Sequence, residues 1–132
     1  MNKIAIIDDN LIFRKVTSMH LQKLGFLTDD ILVFENGQEI FDFIKHHINN
    51  IAQLPKTLFL DLNMPIMDGW DFLKQLQQLK IEHLYQPQIY IVTSSVDDKD
   101  YNDAMRSQSV HGFLVKPINA ASLQGLLQKH NS

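Results

Sequence analysis

Leu58-Phe59-Leu60-Asp61-Leu62-Asn63-Met64-Pro65 is the stretch that decides the fold. A short apolar run ends on a carboxylate, and a Met-Pro turn follows. Such a run, bounded by turn signals, reads as a strand buried on both faces. The same pattern recurs on either side of it. Ile4-Ala5-Ile6-Ile7 ends on Asp8-Asp9, Ile89-Tyr90-Ile91-Val92 ends on Thr93, and Phe113-Leu114-Val115 ends on Lys116, with Pro117 next. Continuous apolar runs mark strands of a parallel sheet covered by helices on both faces, and ligands bind outside the carboxyl ends of such strands. Were these strands neighbours, Asp8, Asp9, Asp61, Thr93 and Lys116 would converge on one edge. Carboxylates, a hydroxyl and an ammonium in one crevice suit a divalent metal and a phosphoryl group.

Between the runs the apolar period changes to that of helices. Residues 11–24 read as a helix with Ile12, Val16 and Met19 as its apolar stripe and Gly25 as its stop. A short second strand falls at about Ile31-Phe34. Asn36-Gly37 opens a helix with Ile40, Phe41, Ile44 and Ile48 on one face, and a longer loop with Pro55 precedes the third strand. Asp68 caps a helix carrying Phe72, Leu73, Leu76 and Leu79. The segment 97–108 is a fourth helix. Its first turn carries Asp97, Asp98 and Asp100, which suits the positive end of the helix dipole, and its apolar face (Tyr101, Ala104, Met105) is thin. That predicts low local stability. Gly112 is expected to precede the fifth strand, and Asn119-Ala120 to start a last helix with Leu123, Leu126 and Leu127. Strand–helix alternation implies right-handed crossovers. The predicted class is α/β: a five-stranded parallel sheet of order 2-1-3-4-5, helices on both faces, flavodoxin-like.

The bulk numbers fit one domain over residues 1–132. At 45% apolar and 20% charged, the chain has the composition of an ordinary globular protein. A net charge of −3 offers no basic footprint for nucleic acid, so no direct nucleic-acid contact is expected. No apolar run approaches the roughly 20 residues of a membrane span, and the amino terminus does not read as a signal peptide. The absence of cysteine excludes disulfides, zinc–thiolate sites and cysteine nucleophiles. A cytoplasmic setting is the simplest expectation.

With these residues in view, the chain resembles the receiver domain of two-component response regulators, specifically the stand-alone, chemotaxis-type receivers. The resemblance rests on Asp8-Asp9, the segment Asp61-Leu62-Asn63-Met64-Pro65-Ile66-Met67-Asp68-Gly69, Thr93-Ser94, and Phe113-Leu114-Val115-Lys116-Pro117, in order over nearly the whole chain. It implies a phosphoacceptor module taking phosphate from a histidine kinase or histidine phosphotransfer protein, with Asp61 as the phosphorylated residue. It further implies Mg²⁺ held by Asp8, Asp9, Asp61 and the backbone carbonyl of Asn63, with Asp8 acting through a metal-bound water in many members. Thr93 and Lys116 would contact phosphoryl oxygens, and the Lys116–Pro117 peptide would be cis. Phe113 would be the aromatic switch that alters the face made by the fourth helix, fifth strand and fifth helix. Asn63 and Ser95 would tune dephosphorylation. No output domain is expected. Catalysis would be confined to Mg²⁺-dependent self-phosphorylation and autodephosphorylation, so the protein is not expected to be an enzyme.

Each residue also has a plainer reading. A lone Asp at a strand end is more often a solvated residue or helix cap, Thr93-Ser94-Ser95 alone is a turn, and Phe113 alone is a half-buried strand residue. His46 and His47, near the end of the second helix, read as solvated, and Trp70 and the methionines as packing. Only the joint pattern favours function. An aspartyl-phosphate phosphatase needs a second Asp two residues after its nucleophile, and Asn63 stands there and cannot act as acid or base. A nucleotide-binding flavodoxin-like protein needs a phosphate cradle in its first turn, but Asp8-Asp9-Asn10-Leu11 is acidic and lacks glycine.

Overall fold

The computed structural model describes residues 2–94 and 97–131. Five strands are present: β1 (Ile4–Ile7), β2 (Ile31–Phe34), β3 (Thr57–Leu60), β4 (Gln88–Thr93) and β5 (Val110–Val115). They form one sheet of order β2-β1-β3-β4-β5, and every pairing is parallel. The helices are α1 (Leu11–Lys23), α2 (Gly37–His47), α3 (Gly69–Gln78), α4 (Asp98–Arg106) and α5 (Ala120–Asn131). The predicted fold class and strand order are both present.

The period of two along each strand divides the interior into two layers. Ala5, Ile7, Leu58, Leu60, Ile89 and Ile91 face α2 and α3, meeting Ile40, Ile44 and Phe72. Ile4, Ile6, Phe59, Tyr90 and Val92 face the other way, toward Leu21 of α1 and Leu123 and Leu127 of α5. Neither side of the central strands reaches water, so their sequences read as unbroken apolar runs.

Helix ends follow their caps. Asn10, Asn36, Asp68 and Asp97 each accept a backbone N–H from the first turn they precede. Gly25, at φ 105°, ends α1; its N–H donates to Gln22, and that of Phe26 reaches back to Leu21.

Four expectations fail in whole or in part. Ile12, Val16 and Met19 do not face the core: they are 73%, 43% and 56% exposed, while Arg14, Thr17 and Leu21 point inward. The more apolar stripe of α1 is the outward one, and two of its three buried residues, Arg14 and Thr17, are polar. Gly112 does not precede β5 but lies inside it. Ile89 pairs with Val110 and Tyr90 with Gly112, so His111 is an extra, bulged residue whose Nδ1 accepts the Ile89 N–H at 3.2 Å. A Cβ at Gly112 would lie 2.9 Å from the Tyr90 ring, so glycine here admits that ring. His47 is not freely solvated: it stacks on Phe43 with centroids 4.1 Å apart, and its Nδ1 lies 2.9 Å from the Phe43 carbonyl. Met19 and Met105 are exposed, whereas Met64 and Met67 pack in the core as expected.

Candidate functional site: an acidic pocket with a tethered ammonium

The strand register brings the polar ends together. Ile7 pairs with Leu60, Leu60 with Ile91, and Thr93 with Val115, so Asp8, Asp61, Thr93 and Lys116 leave the sheet on one edge. The Asp61 N–H donates to the Ile7 carbonyl at 2.9 Å, and the Lys116 N–H to the Thr93 carbonyl at 2.8 Å. These backbone bonds fix the site from below. Gly69 completes the frame. Its N–H donates to the Leu62 carbonyl at 3.1 Å, and a Cβ there would lie 2.5 Å from the Asp61 carbonyl oxygen. Only glycine lets α3 start this close to the end of β3.

Asp8 and Asp61 are buried and Asp9 is exposed, yet carboxylate oxygens of all three lie within 4.8 Å of one another. Hard oxygen donors at this spacing suit a small divalent cation. Lys116 Nζ lies 2.6 Å from Asp8 Oδ2 and 3.6 Å from Asp61 Oδ2. The shorter contact is an ion pair without hydrogen-bond alignment. Asp8 Oδ1 accepts the Asn10 N–H at 2.8 Å, and Asp61 Oδ1 is 3.4 Å from the Asn63 nitrogen. Asp61 is pushed up to about 6: burial is the largest cause, Asp8 adds to it, and Lys116 and the Asn63 amide oppose it.

Thr93 is fully buried at the end of β4. Phe113 is half-buried and meets Tyr101 of α4 edge-on, with centroids 5.3 Å apart. The Lys116–Pro117 peptide is cis. Asn63 is exposed beside Asp61, while Ser95 lies outside the described residues. Two neighbours were missed in the sequence. Phe13 lies beneath the Lys116 ammonium, 4.5 Å from centroid to Nζ. Arg14 is buried and donates to the Asp8 carbonyl at 2.7 Å. The signal for Arg14 was its place on the inward stripe with Thr17 and Leu21.

Residues 4–128 match the family model described as response regulator receiver domain. The chain is 28% identical to a chemotaxis protein CheY homolog of Campylobacter jejuni, over 96% of this chain and 89% of that protein. It is 31% identical to hybrid signal transduction histidine kinase F of Dictyostelium discoideum, over 97% of this chain but only 11% of that much longer protein. Among solved structures it resembles the CheX-CheY-BeF3-Mg+2 complex from Borrelia burgdorferi, with a TM-score of 0.80 and 20% identity over 99% of this chain and 90% of that one. The chain belongs to the response regulator receiver family, the phosphoacceptor signalling modules of two-component systems.

Proposed function

We propose that Asp61 is the phosphoacceptor and that Asp8, Asp9, Asp61 and the Asn63 carbonyl hold Mg²⁺. The single observation that carries this is the meeting of three carboxylates with the Lys116 ammonium at the carboxyl edge of the sheet. An Asp61 oxygen attacks the phosphorus of a phosphohistidine. The new P–O bond forms an acyl phosphate, the P–N bond breaks, and its electron pair returns to the donor imidazole. A bound Mg²⁺ supplies neutralisation of charge on the phosphoryl oxygens. Lys116 pairs with one of those oxygens as a point charge, and the Thr93 hydroxyl hydrogen-bonds another. Drawing Thr93 toward the phosphoryl group biases Phe113 and hence the α4-β5-α5 face, a population shift between two packings. The edge-on contact of Phe113 with Tyr101 on exposed α4 supports that reading.

The donor is a histidine kinase or histidine phosphotransfer protein. The carboxyl edge offers it an apolar rim. Leu11, Ile12 and Ile66 are 54%, 73% and 82% exposed, and they lie in the segments that follow Asp8-Asp9 and Asp61. The module works in the cytoplasm, where such donors meet Mg²⁺. No helix among the described residues is long and apolar enough to cross a membrane. Turnover is limited to self-phosphorylation and autodephosphorylation, the latter tuned by Asn63 and Ser95 over minutes.

The test is intact mass after incubation with acetyl phosphate, with and without Mg²⁺. A Mg²⁺-dependent, hydroxylamine-labile adduct that is lost in Asp61→Ala is expected. No adduct on the wild type, even with a kinase, sinks the proposal. Asn63→Lys is expected to change the decay of the adduct, and unchanged decay removes its tuning role.

A further inference from the structure

The acidic pocket has a second cation behind it. Arg14 lies on the inner face of α1, 9% exposed, and its Nη1 donates to the Asp8 carbonyl at 2.7 Å. Its other partner, Glu35 Oε1 at 3.8 Å, belongs to a side chain that is 67% exposed. An ion pair that wet contributes little. Burying a guanidinium on a helix stripe is costly, and an apolar residue would fill the place more cheaply. The contact Arg14 makes is therefore the informative feature.

Asp8 is otherwise held on every side. Its N–H donates to the Phe34 carbonyl at 3.0 Å, and its Oδ1 accepts the Asn10 N–H at 2.8 Å. The Asp8 carbonyl belongs to the planar peptide that joins Asp8 to Asp9, so the orientation of that plane sets where the Asp9 carboxylate departs. Arg14 is the group that fixes this plane from α1. We infer that Arg14 is a positioning residue for the divalent-cation site: through the Asp8 carbonyl, its guanidinium holds the Asp8-Asp9 peptide so that both carboxylates point at Asp61. This rests on the reading of Asp8, Asp9 and Asp61 as that site.

The sign of one measurement separates positioning from plain electrostatics. As a bare positive charge Arg14 repels Mg²⁺, and its removal would tighten binding. As a positioning group its removal loosens binding. Mg²⁺ titration calorimetry on the full chain compares wild type, Asp9→Ala, Arg14→Met and Arg14→Lys. Both Arg14 variants are expected to bind Mg²⁺ about tenfold more weakly, the usual scale for losing a group that orients a metal ligand. The Lys variant keeps the charge but not the guanidinium fork. In the metal-free variants the amide resonances of Asp8, Asp9 and Asn10 should also move. Tighter binding by Arg14→Met with unchanged binding by Arg14→Lys overturns the inference, as does wild-type affinity in both. If Arg14→Met does not fold, Arg14→Lys alone decides by the same criterion. A wild type that binds no Mg²⁺, or an Asp9→Ala variant that binds it equally well, brings down the cation-site reading and this inference together. Loss in Asp9→Ala with wild-type behaviour in the Arg14 variants brings down only the inference.

Discussion

At the scale of single residues, the fold disfavours the charged form of Asp61. Its pKa is raised from 3.8 to about 6, by burial first and by Asp8 second. A carboxyl whose folded pKa lies above its unfolded value binds its proton more tightly when folded. Its ionisation therefore opposes folding: the penalty is absent below about pH 4, grows between pH 4 and 6, and is constant above. Asp61→Asn removes it. In EDTA, the variant should be more stable than wild type at pH 7, by on the order of 2 kcal/mol, and match it near pH 4. Thermal melts at the two pH values check this, and an equal difference at both contradicts it. Mg²⁺ at the proposed site would compete with the same proton, so its affinity should fall as pH drops below 6.

At the scale of elements, the junction of β3 with α3 decides where Asp61 stands. The three atoms nearest a Gly69 Cβ are all backbone, the Asp61 carbonyl oxygen at 2.5 Å and Leu62 Cα at 3.0 Å among them. None of the three belongs to a flexible side chain that could yield. Gly69→Ala should cost about 1–3 kcal/mol, the range for overpacking, and should slow labelling by acetyl phosphate because the displaced atoms belong to Asp61, the residue proposed as phosphoacceptor. A melt with a labelling time course tests both, and normal labelling in a destabilised variant would mean that α3 moves instead of β3. The close approach at Gly69 is seen only in the structure, but the Asp68 cap of α3 was legible in the sequence. So was β4, because a strand buried on both faces has one reading. Helix α1 was not. Its inward stripe holds Arg14 and Thr17 beside Leu21, while the apolar Ile12, Val16 and Met19 lie outward, so apolar periodicity selects the exposed face. The start of β5 was missed for a different reason. Gly112 reads as a strand breaker until the bulge at His111 and the Tyr90 ring explain it.

At the scale of the molecule, the carboxyl edge pairs a buried charged floor with an exposed apolar rim, and Ile66 shows what the rim costs. A β-branched residue at φ 70° is strained, and its side chain is 82% exposed, so packing within the chain does not compensate it. Asn adopts this conformation more readily. If folding alone set this position, Ile would be a poor choice; the proposed contact with a phosphodonor would give it a reason. Ile66→Asn should stabilise the free protein by about 1 kcal/mol or less, a rise of a few degrees in Tm. The same change should slow phosphotransfer from a histidine phosphotransfer protein several-fold while leaving the acetyl phosphate rate unaltered, because the small donor does not touch the rim. Ile12→Asn on α1 should repeat the kinetic result without the gain in stability, since the backbone of Ile12 is helical. Equal slowing with both donors would place Ile66 in the chemistry. Wild-type rates with both would leave the rim without a part in donor recognition.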